Sequence, residues 1–135
     1  MRTGPARGTS RQREMVVDAS MTDAGRATEL PEGLPQTFGT LAMGDAIASL
    51  ARELLAEHLD ADEVAVPGRI EIIHRNPIPV GATVLLEATV QVVEPSRVTC
   101  EVLVRTDAGV SARASYEQEV VARSEWLGRL GTLAA

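Results

Sequence analysis

The sequence predicts an α+β domain in which one slim helix lies against a single long antiparallel sheet. Three observations carry this expectation. Apolar residues recur at spacings of three and four between about Gly39 and Leu59, the mark of an amphipathic helix. Four later runs alternate with a period of two, as strands with one buried face do. Tight turns at Glu94-Pro95-Ser96 and Asp107-Ala108-Gly109 join the last three runs into a meander.

Taken in order, residues 1–12 are rich in Gly, Arg, Ser and Thr and read as a disordered leader. The domain is expected to span 13–122, opening with a short strand over 13–19. Residues 20–37 carry Gly25, Pro31, Gly33 and Pro35 and read as a long loop, a kind of segment that is often functional. In the helix, Met43, Ile47, Leu50, Leu54 and His58 form one stripe, and Asp45, Ser49, Arg52, Glu53 and Glu57 lie on other faces. Ala42, Ala46, Ala48 and Ala51 keep the helix narrow.

The strands are expected at 66–75, 82–94, 97–106 and 110–122. The first should place Ile70, Ile72 and His74 on its buried face. The last should place Val110, Ala112, Ala114 and Tyr116 together. Strands this long can curl around the helix. The open edge and second face would favour pairing with a copy of itself, as a homodimer or a dimer of dimers. Residues 123–135 read as a tail, a short helix or loose.

Composition narrows the function. The 135 residues carry a net charge of −6, so neutralisation of nucleic-acid phosphates is not expected. Aromatics make up 2% (Phe38, Tyr116 and Trp126), which leaves no stacking platform for single strands. No apolar run approaches the ~18 residues of a membrane span. One cysteine, Cys100, excludes an internal disulfide and fits a cytoplasmic location. It sits in an apolar alternation and reads as a buried small hydrophobe. Two histidines without close Cys or carboxylate company do not make a metal site, and no phosphate loop, dinucleotide fingerprint or Ser elbow is present. No cofactor is expected.

Three short runs are more specific: Phe38-Gly-Thr40-Leu-Ala-Met43, then Pro67-Gly68-Arg-Ile-Glu-Ile-Ile-His74, then Asn76-Pro77-Ile-Pro79-Val-Gly81. They resemble the fluoroacetyl-CoA thioesterase branch of the hotdog superfamily, in outline over 15–121 and most closely over 35–81. The resemblance implies a hotdog fold and an acyl-CoA or related thioester as ligand. It also implies a Thr at the helix entrance (Thr40), a strand-end His (His74) and a Gly whose amide meets the thioester carbonyl (Gly68). The helix position that should carry Glu is Ala48.

Each residue also has a reading that needs no chemistry. His74 sits where core meets a Pro-rich loop and can act as a general base or orient a water, or it can be a hydrogen-bonded core histidine. Thr40 stands where an N-cap belongs, a position that also favours an oxyanion. Gly68 relaxes the chain entering a strand or lets a ligand approach. Gly81 is expected to turn a loop. Asp45, the carboxylate nearest to Ala48, is a substitute candidate or a first-turn Asp favoured by the helix dipole. Phe38, Gly39, Met43 and Ala48 are expected to contact the substrate, Met43 and the Ala-rich face lining the acyl pocket. Thioester hydrolysis is the first expectation, with a non-catalytic acyl-CoA or small-ligand binding module as its rival. A hotdog dehydratase or hydratase ranks last, because no helix carboxylate or Asp/His pair is present.

Overall fold

The protein is described by a computed structural model covering Met1 and residues 4–134. Its elements are β1 (Ser10–Val16), a single 3-10 turn (Ala19–Met21), α1 (Thr40–Ala56), β2 (Glu63–His74), β3 (Thr83–Glu94), β4 (Arg97–Thr106), β5 (Gly109–Ala122) and α2 (Arg123–Ala134). The five strands form one antiparallel sheet in the order β1-β3-β4-β5-β2. The sheet and α1 make two layers with one core between them. Among the described residues no helix is long and apolar enough to cross a membrane.

The apolar stripe of α1 fills the core. Met43, Ile47, Leu50, Ala51 and Leu55 are wholly buried, and the inward positions of β3 and β4 (Leu86, Ala88, Val90, Val98, Cys100, Val102) meet the same cluster. Each such Val, Leu or Ile contributes about 1.5–3 kcal/mol by leaving water. The one buried polar side chain facing this layer from the middle of β5, Gln118, donates its amide to the Ala51 carbonyl at 3.1 Å, so its burial leaves no donor stranded there.

β2 starts at Glu63 rather than 66, and Val92, past a register shift in β3, is exposed rather than buried; four further departures bear on the fold. First, the N-terminal strand starts at Ser10 rather than 13 and ends at Val16. Gly8 already donates to the Val90 carbonyl, and the Val90 amide donates to Thr9, so the expected disordered leader fails from Gly8 onward. The strand has almost no apolar pattern because its backbone ladder with β3 holds it. Arg13 further ties it to Ser49 and Glu53 of α1. Second, Ile70 is 44% exposed rather than buried. It faces α1 near Gly44, but β2 is the sheet edge and the side chain overhangs it. Third, Val110 is exposed and Ser111 buried. Val104 pairs with Ala112 but Arg105 pairs with Val110, so Ser111 is an extra residue that shifts the alternation. Fourth, the helix begins at Thr40 and ends at Ala56, inside the expected 39–59.

A second bulge matters more for function. Pro67 pairs with Gln118 and Arg69 with Glu117, which leaves Gly68 as the unpaired residue of β2. The regular ladder with β5 is interrupted at this residue.

Candidate active site

The entrance to α1 is held by the loop before it. Thr22 bridges to Phe38, the Gly39 amide donates to Met21, and the Phe38 amide donates to the Ile78 carbonyl at 2.8 Å. These bonds fasten the helix N-terminus to the loop that follows His74. The expected role of Thr40 as N-cap is corrected: Gly39 is the cap, in extended backbone and without a side-chain bond, and Thr40 is the first helical residue. One position of offset turns the Thr40 hydroxyl away from the helix amides and towards β2.

There it meets His74. Thr40 Oγ1 lies 3.2 Å from His74 Nδ1, and His74 Nε2 lies 2.9 Å from the Asn76 carbonyl oxygen. A carbonyl only accepts, so Nε2 carries the proton and Nδ1 presents its lone pair to the Thr40 hydroxyl, which donates. The arrangement is a hydroxyl, a base, and a third group that fixes the base's tautomer, which is the logic of an activated nucleophile.

The pair opens into a cleft of about 220 Å³ lined also by Phe38, Asp23, Asn76 and Pro77. Phe38 itself is 1% exposed and forms the floor where cleft meets core. Gly39 is buried beside Asp23: a Cβ there would collide with Asp23 Oδ1. Glycine at this cap therefore makes room for a carboxyl group. Met43 is wholly buried in the core and lines neither this cleft nor the next, which corrects its expected place in an acyl pocket.

The other expected residues gather elsewhere. Asp45, Ala48, Arg52, Pro67 and Tyr116 line a separate cleft of about 230 Å³. Asp45 is exposed on α1 and makes no bond to His74. Ala48 is eight residues beyond Thr40, or about 12 Å along the helix. Gly68 is six residues before His74 on the same strand, or about 20 Å away. Within one chain Thr40 and His74 therefore lie together, and Ala48 and Gly68 each lie apart from them. Gly68 has ordinary backbone angles, and a Cβ there would touch only the Glu117 carbonyl at 3.5 Å. Packing alone does not demand glycine at this bulge. Gly81, by contrast, has φ of 93° and is required by its turn, as expected.

Cys100 is wholly buried, and burial pushes its thiol up to about 11, so it stays protonated and inert near neutrality. Among the described residues no three of His, Cys, Asp and Glu come together to hold a metal ion. Sequence reasoning missed Asp23 and the Asn76 carbonyl. A backbone acceptor leaves no trace in side-chain identity, and Asp23 sits in a loop without periodicity.

Comparison with known proteins follows the same lines. The fluoroacetyl-CoA-specific thioesterase family (FlK) matches residues 17–124. A hot-dog-like protein from Thermanaerovibrio acidaminovorans superposes with a TM-score of 0.85 at 26% identity, over 95% of this chain and 92% of that one. A thioesterase superfamily member from Thermus thermophilus gives 0.85 at 23% identity, over 99% and 96%. The fluoroacetyl-CoA thioesterase FlK gives 0.82 at 21% identity, over 96% and 98%. No protein of curated function matches the sequence. With the family match covering most of the chain and the sheet, central helix and element order in agreement, this is an acyl-CoA thioesterase-like hotdog protein that belongs to the fluoroacetyl-CoA-specific thioesterase family.

Proposed function

We propose that the protein hydrolyses a small acyl-CoA thioester at a site assembled from two copies of the chain. The observation that carries this reading is the Thr40–His74 pair, with His74 fixed as the Nε2–H tautomer by the Asn76 carbonyl. A water held at Thr40 Oγ1 attacks the thioester carbonyl carbon. Its proton passes through the Thr40 hydroxyl to His74 Nδ1. The C–S bond then breaks, and the leaving CoA thiolate takes the proton from His74. The products are a carboxylic acid and free CoA.

The developing oxyanion needs a donor, and the bulge amide of Gly68 is suited to the task. Since Gly68 and His74 of one chain are about 20 Å apart, the reading requires Gly68 of a second copy. The exposed edge of β2 supports such pairing. It carries Ile70 and Ile73 more than 40% exposed, and an antiparallel two-fold pairing of β2 with itself brings residues before its centre opposite residues after it. A homodimer, or a dimer of dimers, in a reducing cytoplasm is the setting this implies.

The direct test is release of free CoA from a panel of short acyl-CoAs by the purified protein and by its H74A variant. Wild-type turnover with H74A reduced by 100-fold or more supports the reading. A folded H74A with full activity rejects it. Ala48 favours a second reading, an acyl-CoA binding module without turnover, because that helix position carries no carboxylate. Ligand-induced thermal stabilisation with no CoA release would select it.

A further inference from the structure

Asp23 is the carboxylate that the Thr40–His74 cleft contains and that neither the helix pattern nor the strand pattern announces. It lines the same cleft as Thr40 and His74. Its Oδ1 is shut off from solvent with no hydrogen-bond partner, and among the described residues its side chain enters no hydrogen bond or ion pair, its backbone carbonyl alone accepting from the Arg26 amide. Across the loop, Gln36 Oε1 is a second buried acceptor without a donor. Buried polar atoms in native proteins are nearly always satisfied, and one left unsatisfied calls for an explanation such as a catalytic role or a bound water.

The fold goes to some length to keep this group in place. The Thr22–Phe38 bridge and the Gly39-to-Met21 hydrogen bond set Asp23 against the start of α1. Gly39 leaves out the Cβ that would collide with the carboxyl group. The positive end of the helix dipole then favours a negative charge at that spot, although no amide of the first turn bonds to it. The result is a clamped anion one residue from the Thr40 hydroxyl, presenting an acceptor with nothing to accept from.

We propose that Asp23 holds the attacking water of the thioester hydrolysis, as the local replacement for the helix carboxylate missing at Ala48. This rests on the hydrolytic reading above. The water donates one hydrogen to Thr40 Oγ1, the start of the relay to His74, and the other to the Asp23 carboxylate. Its lone pair is thereby aimed at the thioester carbon. Asp23 keeps no proton at the end of the cycle: the transferred proton goes to His74 and leaves with CoA. The carboxylate also sits where it can stabilise the imidazolium that forms on His74.

The test compares hydrolysis with hydroxylaminolysis, in which hydroxylamine replaces water, attacks the same carbon and yields a hydroxamic acid and free CoA. Hydroxylamine is the stronger nucleophile and does not need water's placement. In D23A, hydrolytic kcat falls about 100-fold, the cost of a misplaced reactant, while KM changes less than threefold. The hydroxylamine reaction falls less than tenfold. D23N, which keeps an acceptor oxygen without the charge, recovers at least tenfold of the lost hydrolysis. If D23A loses its cooperative thermal transition, D23S is read in the same way. Equal hydrolysis by D23A and the wild type overturns the proposal. So does a parallel loss of both reactions, which would mark Asp23 as a structural group only. A wild-type protein that releases no CoA from any thioester tested overturns the hydrolytic reading itself, and this proposal with it.

Discussion

If Thr40 and His74 act as one proton relay, removing either should cost nearly as much as removing both. The perturbation is a double-mutant cycle: T40V, H74A and T40V/H74A. T40V keeps the side-chain shape and deletes the hydroxyl that lies 3.2 Å from His74 Nδ1. A positioned general base contributes roughly 10²–10⁴-fold, or about 3–5 kcal/mol of barrier. Each single variant should lose that much in kcat, and the double variant should lose little more. The coupling energy is then close to the single-variant loss itself, as expected for groups that function as a unit. The pair is exposed, so the same hydrogen bond contributes only about 0.5–1.5 kcal/mol to folding. Thermal midpoints should therefore move by only a few degrees. The assay is CoA release under saturating acyl-CoA, with a melt for each variant. Additive losses, multiplying to the product of the two, would show that Thr40 and His74 work independently and would refute the relay.

Other expectations follow from the same structure. Mixing G68V with H74A, each weakened alone, should restore measurable activity through mixed dimers carrying one intact site; no recovery after subunit exchange would place both residues' roles within one chain. Replacing Ile70 by Lys on the β2 edge should shift the mass seen in sedimentation towards the monomer and reduce activity together with it. Leu50→Ala, at a wholly buried core position, should cost about 2–5 kcal/mol in chemical denaturation. Cys100 has its thiol raised to about 11 by burial, from an ordinary 9.0. The folded state thus holds this proton more tightly, and its contribution to stability is present below pH 9 and lost as pH rises towards 11. Burial also raises the Tyr116 phenol and acts in the same sense. Melts across that window should show the decline, which C100A should lessen, and native Cys100 should resist thiol reagents at pH 8.

Much of this was legible from residues alone, for reasons tied to periodicity. The helix stripe and the alternation in β3 and β4 are written by burial, so their faces are recovered from Met43 to Leu54, Val84 to Val90 and Val98 to Val104; Val92, expected on the same face, is exposed past a register shift in β3, and His58 lies beyond the end of α1. What stayed hidden was written by backbone hydrogen bonds or by sheet order. Residues 10–12 are polar and pair through their main chain. Ile70 alternates like a buried residue but lies on an edge that only the strand order reveals. Ser111 is buried and Val110 exposed because a bulge, invisible to a period of two, shifts the alternation. At the site, Thr40 and His74 were singled out through the resemblance, and the fold sets them 3.2 Å apart. Their separation from Ala48 and Gly68 was not, because a distance along a helix or strand becomes meaningful only once both ends are placed.

The polar first strand has a kinetic consequence. Its pairing joins residues about 75 positions apart in sequence, such as Arg11 with Ala88, and it contributes little apolar burial until Val17 at its end. Contacts of that separation form late in folding and open early. Hydrogen exchange should find the amides bonded between Gly8 and Arg13 to be the first of the sheet to lose protection. The opening should stop at Val17, whose amide and carbonyl are both bonded to the 81–82 turn. The chain can therefore unzip its outermost strand repeatedly in the native state while the loop bearing Asp23, and the helix entrance it braces, remain closed.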